Sequence, residues 1–74
     1  MNAREWLAAY AKKLGTEPPT TEEFKTLLDV AAEAAHSSER VAAPVACWLV
    51  AMAGVDPDQA VKLAREVESA SSES

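Results

Sequence analysis

A disulfide within the chain, a common aid to so short a protein, is excluded, because Cys47 is the only cysteine among 74 residues. The same scarcity works against a structural zinc site. One cysteine and one histidine, His36, fall short of four ligands unless carboxylates or another chain complete the set. Glycine occurs only twice and alternating β-branched runs are missing, which disfavours a sheet. Positive charge is scarce too. Seven basic residues are scattered among twelve acids, for a net charge of −5, so no basic cluster exists to displace the counterions of a nucleic acid or to hold an anionic membrane. The longest nearly uncharged stretch, Val41 to Val55, is shorter than the ~20 residues needed to span a bilayer. The opening MNAREWLAAYAKKLG lacks the apolar run and cleavage site of a targeting segment. A cytoplasmic protein is expected, and the lone thiol agrees with that.

What is present favours helices. Alanine, leucine, glutamate and lysine dominate, and 49% of the residues are hydrophobic, enough for a folded core. The length suits one domain and is too short for two. A core of this size seldom yields more than ~3–5 kcal/mol net, leaving good helix packing, self-association or docking on another protein to complete the fold.

The expected fold is all-α, a bundle of about four helices near 2–14, 20–36, 38–53 and 57–68. Asn2 and Glu5 have capping-box spacing, Ala3, Trp6, Leu7, Tyr10 and Leu14 form one stripe, and Gly15 suits a left-handed helix end. Pro18 and Pro19 hold an extended connection. Thr20 and Glu23 form a second capping box, ahead of a stripe of Phe24, Leu27, Leu28, Ala31 and Ala35.

The third helix is expected from Ser38, with Ser37 or Ser38 as its cap and Pro44 tolerated early in it. A turn over Ser38 to Ala43, with the helix proper beginning near Pro44, is the alternative. Its side chains are apolar all round, so it is expected at the centre of the bundle. Gly54 ends it. Asp56, Pro57 and Gln59 start the fourth, whose stripe is Ala60, Leu63, Ala64 and Val67, with Val61 beside it. Residues 1–68 form the single domain, and 69–74 are expected as a disordered tail.

The one concentrated polar patch runs from His36 to Arg40. His36, Ser38, Glu39 and Arg40 are candidates for binding a ligand or partner: arginine for a phosphate or carboxylate, serine and a helix N-terminus for an anion. Read structurally, Ser38 caps a helix, Glu39 favours its dipole, and Arg40 or His36 pairs with a nearby carboxylate. Cys47 lies among Ala46, Trp48 and Leu49, the setting of an inert buried thiol, so a thiol–imidazole nucleophile with His36 is not expected, nor is a metal site. Trp6 and Trp48 lie on apolar stripes and are expected in the core; an exposed tryptophan would instead mark a docking surface. With a central helix apolar on every side, there is a hint of more apolar surface than a monomer can bury.

The stretch Ala35-His36-Ser37-Ser38-Glu39-Arg40-Val41-Ala42-Ala43-Pro44-Val45, with Trp6-Leu7 before it and Leu49 and Gly54 after, resembles a small uncharacterised bacterial helical family. Its members are similar to this chain over most of residues 1–68 and occur alone or appended to molybdenum cofactor guanylyltransferase, which builds molybdopterin-guanine dinucleotide. The chain lacks the glycine-rich loop and paired metal-binding aspartates of that transferase. The resemblance therefore implies an accessory association with molybdenum cofactor biosynthesis, without catalysis and without a cofactor of its own. The partner it implies is the guanylyltransferase or a molybdoenzyme. Two alternatives stand beside it: small-ligand binding, of an anion or phosphate, at the His36–Arg40 patch, and a structural homodimer without ligand.

Overall fold

Capping chemistry sets where the helices begin. In the computed structural model, which describes the backbone of residues 1–73 and the side chains of residues 1–67, the order is α1 (Ala3–Leu14), α2 (Thr21–Ser37), α3 (Ala42–Ala53) and α4 (Pro57–Glu73), with no strand among the described residues. The expected all-α architecture of four helices is what the chain adopts. The tail expected over 69–74 lies outside the residues whose side chains are described.

Both expected capping boxes are closed. Asn2 Oδ1 accepts from the Glu5 amide at 2.8 Å while Glu5 Oε1 accepts from the Asn2 amide at 2.9 Å. Thr20 and Glu23 repeat the arrangement at 3.1 and 2.8 Å. Each box satisfies two amides that lack helical partners. Gly15 and Gly54 end α1 and α3 in the left-handed region, at φ 79° and 68°. At the start of α4 Asp56 Oδ2 accepts from the Asp58 amide at 3.2 Å, one residue short of Gln59. Replacing Thr20 by alanine is expected to cost ~1 kcal/mol, because α2 carries the rest of the domain. Urea unfolding followed by circular dichroism measures it, and a midpoint equal to the parent's would contradict the role given to this cap.

The third helix starts later than expected. Residues 38–41 make a turn, and α3 begins at Ala42 with no side-chain cap on Val41. Ser37 and Ser38 belong to the end of α2: their hydroxyls donate to the carbonyls of Glu33 and Ala34, each at 2.6 Å. A serine hydroxyl near a helix end can bond back four residues as readily as it caps forward, and here it does so. Pro44 becomes the third residue of α3, where its missing amide hydrogen costs no helical bond.

Packing corrects the sequence reading most. The central element is α2, with α3 and α4 both packed against it, and α3 contains no buried residue. The core is Val30, at 2% exposure, with Ala60 and Val61, and Ala46, Val50 and Val55 pack against it. Val30 lies off the stripe read along α2, and Leu28, on that stripe, is more than half exposed. The reason is geometric: a helix gripped from two sides needs apolar groups on two faces, so one stripe does not describe it. On α4, Ala60 and Val61 face inward, while Leu63 and Val67 are exposed. Trp6 and Trp48, expected in the core, are 52% and 58% exposed.

α1 has no comparably extensive contact with any other helix. What holds it near the start of α2 includes the Arg4 guanidinium, 4.9 Å above the Phe24 ring. The molecule is elongated, 43 × 23 × 18 Å, and its radius of gyration of 13.3 Å exceeds the ~11 Å of a compact chain of this length.

Candidate functional site: an apolar groove and the uncharged face of α3

Because α3 and α4 grip α2 without closing over it, a groove of about 570 Å³ opens among the three helices. Small side chains make much of its wall: Ala34 from α2, Ala46 and Ala53 from α3, Ala60 and Ala64 from α4. Larger groups border it, with Leu49 on one side and Leu63 and Val67 on the other. Polar groups enter through Glu33, Ser37 and Ser38. Glu33 Oε1 meets Arg65 Nε at 3.3 Å, tying α2 to α4 with a largely exposed guanidinium. An exposed pair of this kind contributes ~0–1 kcal/mol. The two serine hydroxyls already donate to backbone carbonyls.

Beside the groove, the outer face of α3 presents Val41, Val45, Trp48 and Met52, each more than half exposed. Val41 through Val55 contains no charged side chain. Dispersed apolar residues on a surface are ordinary; a contiguous helix face of this kind is not.

The four candidate residues of the polar patch are all exposed. Ser38 lines the groove, and His36, Glu39 and Arg40 do not. Ser38 closes α2 rather than opening α3, and the backbone carbonyls of Glu39 and Arg40 accept from Ala42 and Ala43 in the intervening turn. The carboxylate partner expected for Arg40 or His36 is not found among the described residues; the ion pair there is Glu33–Arg65. The periodicity of α3 hid the groove, since it lies between helices. The small residues Ala34, Ala46, Ala53, Ala60 and Ala64 are the signal available in the sequence.

Cys47 is half-buried against α2, with Sγ 3.8 Å from the Leu27 carbonyl oxygen. Burial pushes its thiol above the ordinary value. The folded state therefore favours the protonated thiol: stability is intact below the unfolded chain's thiol pKa and declines as pH rises through the folded one. Iodoacetamide alkylation should accordingly reach its half-maximal rate at higher pH in the folded protein than in urea. Coincident profiles would contradict this environment.

No group of His, Cys, Asp and Glu among the described residues is arranged to hold a metal ion. No described helix is long and apolar enough to cross a membrane. A family model described as a domain of unknown function, DUF6457, matches residues 1–73. The match shows no link to molybdenum cofactor guanylyltransferase. No curated protein and no solved structure matches the chain.

Proposed function

The chain belongs to the DUF6457 family, and from that footing we propose that it is a non-catalytic accessory domain that docks on a protein partner through the outer face of α3. The observation that carries this reading is the exposure of Val45, Trp48 and Met52 on one uncharged helix face. Protein interfaces concentrate binding energy in such places, where an aromatic anchor is surrounded by aliphatic groups and charge is depleted. The scarcity of basic residues points away from nucleic acid and anionic lipid as the occupant of that face.

The resemblance of residues 35–45 names the first partner to try, molybdenum cofactor guanylyltransferase, with molybdoenzyme precursors second. Titration calorimetry of the domain against the purified transferase tests it directly. Saturable binding that Trp48 substitution weakens supports the reading; absence of binding to the transferase and to molybdoenzymes removes the named partner. The small-ligand alternative at His36–Arg40 draws no support from the geometry, because three of its four residues stand outside the groove.

A further inference from the structure

We propose that the groove among α2, α3 and α4 is filled by α1 of a second copy of this chain, reciprocally, in a two-fold dimer. The groove lies open between three helices and has room for the side chains of a fourth. The chain's own α1 does not take it, being held at Phe24, whereas the groove begins at Val30 and runs toward Ser38.

What can enter is restricted by chemistry. The walls are largely hydrocarbon and the serine hydroxyls are committed, so an incoming segment must satisfy its own backbone hydrogen bonds. Of the recurring modes of segment recognition, only helix-in-groove meets that condition. α1 is such a helix, with one edge still unpartnered. Trp6, Tyr10 and Leu14 repeat every four residues and are 52%, 48% and 62% exposed, and the two rings meet at a tilt of 35° with their centroids 4.9 Å apart. From Trp6 to Leu14 the helix rises ~12 Å, the same as α2 from Val30 to Ser38.

Charge agrees. Residues 1–16 contain Arg4, Lys12 and Lys13 against Glu5, a surplus of two positive charges, in a chain whose total is −5; all the rest is therefore at −7. Two copies repel unless the basic segment of each meets the acidic body of the other, which is what reciprocal seating does. Trp6 and Tyr10 still offer about half of the ~150–250 Å² that such rings cover, and Leu14 and the groove walls add to it, so two symmetric seats approach the ~1,200 Å² minimum of a stable interface. The outer face of α3 stays open in this dimer, and the partner proposed above keeps its site.

Sedimentation equilibrium on the full chain, from ~10 μM to ~1 mM, tests the inference. Three variants go with it, all at exposed positions: Leu14→Glu on α1, Val67→Glu on the groove rim, and Trp48→Glu outside the groove. Circular dichroism confirms that each keeps the parent's helix content. The parent and Trp48→Glu are expected to dimerise alike, and Leu14→Glu and Val67→Glu each to raise the dimer dissociation constant at least tenfold. A parent that is monomeric throughout the range overturns the proposal. So does a dimer that survives either groove-directed variant, or one that Trp48→Glu alone abolishes, which would assign the contact to α3. A monomeric parent that still binds the transferase leaves the docking reading standing.

Discussion

Replacing Val30 by aspartate is expected to unfold the domain. Val30 is the most enclosed member of the core, at 2% exposure, where α3 and α4 meet α2. Among the described residues no buried polar or charged group lies there to receive a carboxylate. An uncompensated buried charge costs ~3–5 kcal/mol, against a net stability of similar size for a domain this short. Val30→Ala, which only removes two methyl groups, should cost ~1.5 kcal/mol. Leu28→Asp, two positions earlier on the open side of the same helix, should stay within ~0.5 kcal/mol of the parent. Thermal melts followed by far-ultraviolet circular dichroism separate the three. A cooperative Val30→Asp melt at the parent's temperature would mean that the core lies elsewhere.

The second large effect concerns binding alone. Trp48→Ala should leave stability within ~0.5 kcal/mol of the parent, because the ring packs against so little of its own chain. Its loss should weaken association with the proposed partner by ~2 kcal/mol, about thirtyfold, the scale of a central aromatic anchor. Arg40→Ala is the matching control and should leave that affinity unchanged. If Trp48→Ala instead destabilises the isolated domain by several kcal/mol with affinity intact, the ring is structural and the docking proposal fails. A loss of affinity in Arg40→Ala would move the contact to the polar patch.

Local signals were legible in the sequence and relations between helices were not. Asn2 with Glu5, Thr20 with Glu23, Gly15, Gly54 and Asp56 act within one turn of where they stand, so their spacing carries the information. Ser38 shows where even local reading divides: the same hydroxyl can cap forward or bond backward, and the choice depends on where Pro44 lets the next helix begin. The centre of the fold was misplaced because an apolar periodicity says that a face will be covered without saying by what. α3 is the most apolar helix and was read as the hub, yet its outer face is turned to solvent. The hub is α2, whose Val30 lies off the stripe of Phe24, Leu27, Leu28, Ala31 and Ala35. The polar patch was visible at once, from its contrast with the apolar stretches around it. The groove was not, since it is a space between three helices, which the pattern along any one of them does not describe.

The central claim is that the α3 face around Trp48 is open in the folded, partner-free domain. Fluorescence quenching in a Trp6→Phe variant, where Trp48 is the only indole, tests it most directly. The account predicts red-shifted emission, efficient acrylamide quenching of the folded protein, and protection once the partner is added. Blue-shifted emission shielded from acrylamide in the partner-free domain would contradict it, placing Trp48 inside and the docking face elsewhere.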